Sequence, residues 1–381
     1  MKLRRRLLLA GAPALLACPA RAQDRPSTFP QARAAPDAGQ VRVEVMAEGL
    51  ENPWGLAFLP GGRMLVTERP GRLRLVGPGR LLSPPLPGVP EVVAQGQGGL
   101  LDVALAPDFA RSRAVFLAYA EAGEGGAGTA VARAVLEGER LAGTRVIYRQ
   151  APKVRGAMHF GARLVFARDG TLFVTQGDRY SYSDQAQDLG SLIGKIVRIA
   201  PDGSVPPDNP FVGREGARPE IWSYGHRNIQ GAALDPATGL LWIADHGARG
   251  GDEINQPQPG RNYGWPVISY GTHYSGQRVG EGTARDGMEQ PVHYWDPSIA
   301  PSGLAFHAGD AFPAWRGHML VGALRGQHLA RLEMREGRVV AEHRYLEDLG
   351  ERIRDVRVAP DGLVYLLTDS AEGRVLRLSP R

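Results

Sequence analysis

The stretch that decides the fold runs from Gly161 to Asp178 and reads GARLVFARDGTLFVTQGD. Two short apolar runs flank the turn residues Ala167 to Gly170, and the second run ends in polar residues. Apolar runs of this kind joined by an Asp-Gly turn are typical of a β-hairpin. The stretch therefore predicts two antiparallel strands with a tight turn between them.

The same pattern occurs six times along the chain, at intervals of 44 to 72 residues. The six units begin at Gly55, Gly99, Gly161, Gly231, Gly303 and Asp355. Regular repetition of one small antiparallel unit indicates sheets arranged radially around an axis. We therefore predict an all-β fold, a six-bladed β-propeller. A β-sandwich with long loops is the alternative, but a sandwich does not require the same hairpin six times.

The start of the chain predicts export. Basic residues at Lys2 and 4–6 precede an apolar run, Leu7 to Ala17, and Ala20 to Ala22 fits a small-x-small cleavage site. We expect a signal peptide at 1–22, a disordered leader at 23–40, and a propeller domain at 41–381. The mature protein would be periplasmic or secreted, by Sec or twin-arginine export. No apolar run is long enough to span a bilayer.

Cys18 and the overall charge both belong to this first segment. Leu15 to Cys18 loosely resembles a lipobox, so a lipid anchor at Cys18 is the alternative to cleavage. The full chain has 45 basic and 40 acidic residues, and five of the basic ones lie in segment 1–22. The mature chain is thus balanced in charge, which argues against a nucleic-acid partner. Cys18 is the only cysteine, and no C-x-x-C-H motif for covalent haem occurs.

Polar residues at strand ends should meet at one mouth of a propeller channel. His159 opens one predicted strand and Asp178 closes its partner, so the hairpin can bring both to one face. A carboxylate bonded to one imidazole nitrogen strengthens the other nitrogen as a base. The pair predicts a general base; the alternative is a strand-end histidine with a coincidental aspartate.

A second group of candidates is cationic. Arg352 and Arg354 alternate in one strand and face the same side, while Arg325 follows another apolar run. Together with Arg227 they would suit a polyanionic ligand, because guanidinium groups bind carboxylates bidentately. The alternative is solvated surface arginine, since the chain contains only three lysines.

A third candidate is a metal site in the loops. Asp252 and Glu253 follow Gly250-Gly251, where backbone carbonyls are free to turn inward. Carboxylate and carbonyl oxygens are the ligands that Ca²⁺ prefers, although no EF-hand pattern is present.

Eight motifs resemble the glucose/sorbosone dehydrogenase family, soluble quinoproteins that oxidise sugars with pyrroloquinoline quinone (PQQ). In chain order they are GQGGLLD (96–102), HFGARL (159–164), TQGD (175–178), SYGHRNIQG (223–231), DEIN (252–255), NYGWP (262–266), PSIAPSG (297–303) and RIRDV (352–356). The resemblance covers nearly all of the chain after the leader and is greatest to the PQQ-dependent aldose sugar dehydrogenases. The family fold, a six-bladed propeller, agrees with the repeat count.

The resemblance implies roles for individual residues. His159 would be the general base, Asp178 would orient it, and Arg227 would lie near the reactive carbonyl of the quinone. The residues implied to bind PQQ are Gln97, Arg227, Asn228, Tyr274, Ser298, Arg325, Arg352 and Arg354. Those implied to bind Ca²⁺ are Gly247 and Ala248 beside the quinone, and Glu253 and Tyr263 in a separate structural site.

The implied reaction is oxidation of an aldose at its anomeric carbon to a lactone, with electrons passed to an external acceptor. The family often has lysine where this chain has Arg325, a change that keeps the charge but not the geometry. The chain is shorter than the family's dimeric glucose dehydrogenases, which favours a monomer. The alternatives are a calcium-dependent propeller lactonase and a non-catalytic propeller that binds a glycan or protein.

Overall fold

The computed structural model describes residues 25–29, 32 and 34–381, and this part of the chain is nearly all β-sheet. The described strands form six antiparallel sheets, five with four strands and one with three. In chain order they are β1 (Val41–Leu50), β2 (Pro53–Leu59), β3 (Arg63–Glu68), β4 (Arg72–Val76), β5 (Leu100–Leu105), β6 (Ala114–Gly123), β7 (Gly126–Glu137), β8 (Arg140–Arg149), β9 (Gly161–Phe166), β10 (Leu172–Gln176), β11 (Lys195–Ile199), β12 (Ile221–Tyr224), β13 (Ile229–Leu234), β14 (Leu241–Asp245), β15 (Asp252–Asn255), β16 (His293–Trp295), β17 (Pro301–Phe306), β18 (Met319–Ala323), β19 (His328–Arg335), β20 (Arg338–Tyr345), β21 (Ile353–Val358), β22 (Val364–Thr368) and β23 (Gly373–Pro380).

Helical structure in the described chain is limited to single turns. The one α-helical turn is α1 (Phe109–Ser112), and the 3₁₀ turns are Ala38–Gln40, Pro78–Arg80, Ser183–Ala186, Pro313–Trp315 and Glu347–Leu349. These turns lie in the connections, so the strands alone build the frame.

Each predicted hairpin is the inner half of one sheet. The six pairs are β2–β3, β5–β6, β9–β10, β13–β14, β17–β18 and β21–β22. The first strand of each pair contacts the first strand of the next sheet, and β21 contacts β2, which closes a ring of six. The six-bladed β-propeller predicted from the repeats is thus confirmed.

The ring is closed by the two ends of the propeller domain. Strand β1 pairs antiparallel with β23, with Val43 opposite Leu378, and becomes the outer strand of the last blade. The first blade keeps only β2, β3 and β4. Because the joining strands are distant in sequence, this closure ties the ring through a non-local ladder.

Apolar burial lies between neighbouring blades. Six clusters of buried side chains are found in the described chain, one at each blade–blade junction. Leu65 and Val103 belong to the junction of blades one and two, and Phe173 and Ile243 to that of blades three and four. Inner strands are therefore covered on both faces, which explains their nearly continuous apolar sequences.

The channel is closed by an ionic cluster at the third residue of the inner strands. Asp102, Arg163 and Asp355 hold this position in β5, β9 and β21. Arg163 Nη1 lies 2.9 Å from Asp355 Oδ1 and 3.4 Å from Asp102 Oδ1. Arg357 contacts both carboxylates as well, at 2.7 and 2.8 Å. We call these four residues the channel cluster; it has two charges of each sign.

Part of the segment before β1 contacts the fifth blade. Within the leader predicted at 23–40, Ala34 forms a β-bridge with Arg344, and the N–H of Ala35 donates to the Arg344 carbonyl at 2.8 Å. Asp37 accepts hydrogen bonds from the Tyr345 hydroxyl (2.5 Å) and from Trp315 Nε1 (3.1 Å), and both rings are buried. These hydrogen bonds join Asp37 to the fifth blade. The predicted signal peptide, 1–22, and the lipid-anchor alternative at Cys18 lie outside the described residues.

Over the described chain, no helix has both the length and the apolar character needed to cross a bilayer.

Candidate active site

His159 and Asp178 meet at one mouth of the channel. His159 precedes β9 and Asp178 follows β10, and His159 Nδ1 lies 2.7 Å from Asp178 Oδ1. Both side chains are buried. With Nδ1–H donating to the carboxylate, the second ring nitrogen, Nε2, is the acceptor. No described residue bonds Nε2, so this nitrogen is free to take a proton.

Close approach of two strand ends explains the glycine of the TQGD motif. A Cβ on Gly177 would lie 2.1 Å from the carbonyl oxygen of His159, so no larger residue fits. His159 itself has a φ of 55°, in the left-handed region. A strained non-glycine backbone persists only where its surroundings impose it. The two motifs therefore hold His159 against Asp178.

The surroundings of His159 favour its neutral form. Burial lowers the pKa of His159 below its ordinary value of 6.5; Asp178 opposes this effect, and the positive charge of Arg227 adds to it. A general base must be unprotonated to act. The site thus keeps the imidazole ready to accept a proton at neutral pH.

Arg227 and Asn228 are fixed through their backbone. The N–H of Arg227 and the N–H of Asn228 donate to the two carboxylate oxygens of Asp245, at 3.1 and 2.6 Å. The carbonyl oxygen of Arg227 accepts the N–H of Asp178 at 2.7 Å. The Arg227 side chain is buried, and its Nη1 donates to the carbonyl of His246 at 3.2 Å. The SYGHRNIQG motif is thereby hydrogen-bonded to the His159–Asp178 pair.

A cavity of about 270 Å³ lies at this mouth, and all six blades contribute to it. We call it the central cavity. Its lining residues are Trp54, Arg69, Gln97, Leu101, Phe160, Gly161, Asn228, Gln230, His246, Ala300, Leu324, Arg352, Arg354 and Asp369. They stand at the starts of the inner strands or just after the second strands. Gln97 also accepts the N–H of His159, at 2.9 Å.

Positive charge dominates the central cavity. Arg352 and Arg354 both donate to Asp369 Oδ2, at 2.9 and 3.1 Å, and Arg69 lies near them. Burial lowers the pKa of Arg69; Asp369 opposes the shift, while Arg354 and Arg352 add to it. Three guanidinium groups thus face one carboxylate, which leaves the cavity suited to an anion.

Two buried guanidinium nitrogens of the candidate site also lack a hydrogen-bond acceptor within the described chain. They are Nε of Arg354 and Nε of Arg227. A buried donor without an acceptor is costly. Both atoms therefore fit a site completed by a ligand.

Four of the predicted cofactor residues are absent from the lining of the central cavity: Arg227, although its neighbour Asn228 lines it, and Tyr274, Ser298 and Arg325. Ser298 and Arg325 line a neighbouring cavity of about 200 Å³. Ser298 Oγ donates to Asp252 Oδ2 at 2.6 Å. Tyr274 is 65 % exposed in the loop after β15. The central cavity thus brings together Gln97, Asn228, Arg352 and Arg354. Tyr274, Ser298 and Arg325 lie outside it.

The loop proposed for calcium is built from backbone. Gly247 donates its N–H to Asp252 at 2.8 Å, and a Cβ at Gly247 would lie 2.2 Å from the carbonyl oxygen of Gly250. Ala248 forms a β-bridge with Gly250 across this turn. No cluster of three or more His, Cys, Asp or Glu in the described residues could hold a metal ion. A cation here would depend on carbonyl oxygens, which suit Ca²⁺.

Glu253 and Tyr263 are both held inside the fold. Burial raises the pKa of Glu253 to about 8, Asn255 opposes the shift, and the neighbouring carboxylates Asp245 and Asp252 add to it. The Tyr263 hydroxyl donates to the Gln256 carbonyl at 2.8 Å. A buried carboxylate beside two others is neutralised either by a proton or by a cation, and its oxygens are of the type that Ca²⁺ binds. The donor chemistry therefore fits Ca²⁺.

Sequence reasoning missed Arg69, Asp245 and Asp369. Each stands at or just after the end of the second strand of a blade, as Asp178 does. That shared position is the signal that could have found them. Asp252 was considered as a metal ligand, but its carboxylate instead accepts hydrogen bonds from Gly247, Ser298, Ile299 and Ala300.

The fold and site define a class: a six-bladed propeller with a buried histidine–aspartate pair beside an arginine-lined cavity. A family model for glucose/sorbosone dehydrogenases matches residues 50–377. The chain therefore belongs to the glucose/sorbosone dehydrogenase family, which confirms the resemblance drawn from its motifs.

Three relatives illustrate the similarity. Aldose sugar dehydrogenase YliI of Escherichia coli (strain K12) is 49 % identical over 347 residues, covering 90 % of this chain and 93 % of the relative. The crystal structure of the soluble aldose sugar dehydrogenase of E. coli in the apo-form is 48 % identical, with a TM-score of 0.88 over 90 % of this chain and 100 % of that one. The PQQ-bound aldose sugar dehydrogenase of Streptomyces coelicolor is 31 % identical, with a TM-score of 0.73 over 91 % and 100 %.

Proposed function

We propose that this protein is a PQQ- and calcium-dependent aldose sugar dehydrogenase that oxidises the anomeric carbon of aldoses to lactones. One observation carries the proposal: the free Nε2 of His159, backed by Asp178, lies beside an arginine-lined cavity. The family and the aldose sugar dehydrogenases among its relatives support an oxidoreductase that acts on sugars.

The central cavity fits the cofactor. PQQ is a planar quinone with three carboxylates, and the cavity presents Arg69, Arg352 and Arg354 together with the Gln97 and Asn228 amides. Ser298, Arg325 and Tyr274 stay in the proposal as further contacts from the adjoining loops. When bound, PQQ would supply the redox chemistry by accepting a hydride from C1 of the sugar.

The chain's own residues supply proton transfer and electrostatics. His159 Nε2 takes the proton of the anomeric hydroxyl, and Asp178 holds the ring and stabilises its charged form. Arg227, desolvated by burial, provides a fixed positive charge near the reacting atoms. Because its backbone is bonded to Asp245 and Asp178, this charge needs no rearrangement during the reaction.

The proposal also includes two calcium sites. The carbonyls of Gly247 and Ala248 would hold one ion beside the cofactor, and Glu253 with the Tyr263 carbonyl would hold a second, structural one. The packed turn at Gly247 and the position of Glu253 opposite Asp245 on the neighbouring strand support these assignments.

The remaining elements concern the protein's surroundings. We propose export to the periplasm or beyond through the segment 1–22, action as a monomer, and transfer of electrons to a separate acceptor. The basic run, apolar run and small-residue site at the start of the chain support export.

Reconstitution tests the function directly. The purified protein, stripped with a chelator, is supplied with PQQ, Ca²⁺ or both, and reduction of an artificial electron-accepting dye is followed over a panel of aldoses. We expect dye reduction only with both additions and an aldose. Lactone hydrolysis by the Ca²⁺-loaded protein without PQQ would favour the lactonase alternative. Binding of sugars without any turnover would favour the non-catalytic one.

A further inference from the structure

Trp265 contacts both halves of the candidate active site. Its indole Nε1 donates to Asp178 Oδ2 at 2.8 Å, and its ring lies under the guanidinium of Arg227, 5.2 Å from centroid to carbon. Asp178 supports the proton acceptor, His159, and Arg227 supplies the positive charge. One side chain therefore joins two groups that come from different blades.

The hydrogen bond from Trp265 satisfies an otherwise unpaired oxygen. Asp178 Oδ1 accepts from His159 Nδ1 and from the N–H of Tyr180, each at 2.7 Å. Oδ2 accepts from Trp265, and no other described residue donates to it. Asp178 is 1 % exposed, so water cannot readily replace a lost donor. The indole N–H is thus the third contact that fixes how the carboxylate is turned, and the one on its second oxygen.

The NYGWP motif has the geometry to deliver this indole. The N–H of Trp265 donates to the Gly225 carbonyl at 3.0 Å, and its carbonyl accepts Gln187 Nε2 at 2.7 Å. Asn262 Oδ1 accepts the N–H of Gly264 at 2.9 Å and Gln187 Nε2 at 3.0 Å, and Asn262 Nδ2 donates to Gln187 Oε1 at 2.8 Å. The motif is therefore anchored on the SYGH segment, next to Arg227.

We propose that Trp265 is a positioning residue, which holds the Asp178 carboxylate for His159 and aligns it with Arg227. The inference rests on the proposed function for its catalytic meaning, but the contacts themselves predict a measurable effect on His159 in the protein without cofactor. The family resemblance implies no role for Trp265.

Loss of the indole N–H should alter how His159 binds a proton. The groups that act on His159 are Asp178, Arg227 and Asp245, with the Tyr180 ring packed edge-on at 5.2 Å. Without the Trp265 donor, the negative charge of Asp178 is less shared and attracts a proton on His159 more strongly. The Trp265→Phe change therefore raises the pKa of His159, while the phenyl ring retains the contact with Arg227.

The test measures the His159 titration by NMR in the apoprotein, with the resonance assigned by its loss in His159→Ala. We expect the midpoint in Trp265→Phe to rise by about 0.5–1 pH unit relative to the unmodified protein. Trp222→Phe is the matched control, because Nε1 of Trp222 has no hydrogen-bond partner in the described chain. It should leave the midpoint unchanged.

Kinetics of the reconstituted protein provide the second readout. Trp265→Phe should lower kcat at least about tenfold with little change in sugar KM, as expected for a misplaced base. An unchanged midpoint and kcat overturn the proposal, and so does a raised KM with an unchanged midpoint, which would make Trp265 a sugar contact. If no variant oxidises sugars but the midpoint shifts, the positioning role stands and the proposed reaction falls.

A further measurement does not require the Trp265→Phe variant to fold. In the unmodified protein, a strong bond to a carboxylate moves the Trp265 indole proton downfield and slows its exchange with solvent. Asp178→Asn should move that resonance upfield, whereas an indole proton unaffected by Asp178→Asn contradicts the hydrogen bond on which the inference depends.

Discussion

Arg354 donates to Asp369 across the wall of the central cavity, with Nη2 3.1 Å from Oδ2, and Arg352 shares the same acceptor oxygen. Burial acts to raise the pKa of Asp369, but the two arginines outweigh it and lower the pKa to about 2. The carboxylate therefore stays ionised and holds both guanidinium groups before any ligand arrives. Arg352 and Arg354, held by Asp369, thus form a preorganised anion clamp, which reduces the conformational entropy lost when a ligand binds.

Replacing both arginines should weaken PQQ binding far more than folding. Each charge-assisted hydrogen bond lost to a carboxylate costs roughly 1.5–3 kcal/mol. We expect Arg352→Ala/Arg354→Ala to raise the PQQ dissociation constant at least about 100-fold, measured by titration of the apoprotein. Arg111→Ala, on an exposed surface pair, is the control and should bind normally. Unchanged affinity in the double variant would make both residues ordinary surface arginines.

His159→Ala should separate chemistry from cofactor binding. The side chain provides the proton acceptor but is absent from the lining of the central cavity. We expect PQQ affinity to persist and kcat for aldose oxidation to fall at least about 100-fold, the low end for a lost general base. His343→Ala, in the partly buried outer strand β20 and far from the central cavity lining, serves as the control. Near-normal kcat in His159→Ala would remove this residue from the mechanism.

The pH dependence should follow the lowered pKa of His159. Burial depresses it, Asp178 partly restores it, and Arg227 lowers it again. Protonation of the base stops the reaction, so activity is lost as pH falls through this pKa. We expect the acidic limb of kcat/KM to lie below pH 6.5, the ordinary value. Asp178→Asn should move the limb further down; a limb above pH 6.5 would contradict the role of burial.

Glu253→Gln should lower thermal stability and leave the binding of PQQ by Arg352 and Arg354 unchanged. A ligand that binds only the folded state raises the melting temperature by mass action. We expect Ca²⁺ to stabilise the unmodified protein and to recover less stability in Glu253→Gln, measured by thermal unfolding with and without chelator. Glu139→Gln, in the exposed β7–β8 turn, is the control. If Glu253→Gln melts like the unmodified protein in both conditions, the structural site is wrong.

The repeating hairpins made the fold predictable from local information. An apolar run, a Gly/Asp turn and a second run are short-range signals, and each of the six predicted units is the inner half of a blade. The closure of β1 on β23 was not predicted, because it pairs residues as distant as Val41 and Pro380. The contacts of Asp37 with Trp315 and Tyr345 on the fifth blade were not predicted either, because they join residues 278 and 308 positions apart.

Prediction of the site was limited for a similar reason. His159 and Asp178 were recognisable because one hairpin joins them. Arg69 and Asp369 come from different blades, and only the closed ring places them beside Arg354. Trp265 was read as part of a motif, but its bond to Asp178 spans 87 positions. Contacts between blades depend on the ring geometry, which no single repeat contains.

The channel cluster provides a prediction that depends on the ring itself. Arg163 is 1 % exposed and bonds Asp102 of the second blade and Asp355 of the sixth, and it also donates to the Gln230 carbonyl at 2.6 Å. Removing one partner of a buried ionic network typically costs about 3–5 kcal/mol, because charge is left uncompensated. Arg163→Met should lower unfolding free energy by that amount.

The measurement is chemical denaturation followed by circular dichroism. Arg163→Met/Asp355→Asn should recover part of the loss, since it removes one charge of each sign and leaves Asp102 paired with Arg357. Arg285→Ala, which breaks an exposed pair with Glu281, is the control and should change stability by less than about 1 kcal/mol. Equal stability of Arg163→Met and Arg285→Ala would show that the cluster fills the channel without holding the blades together.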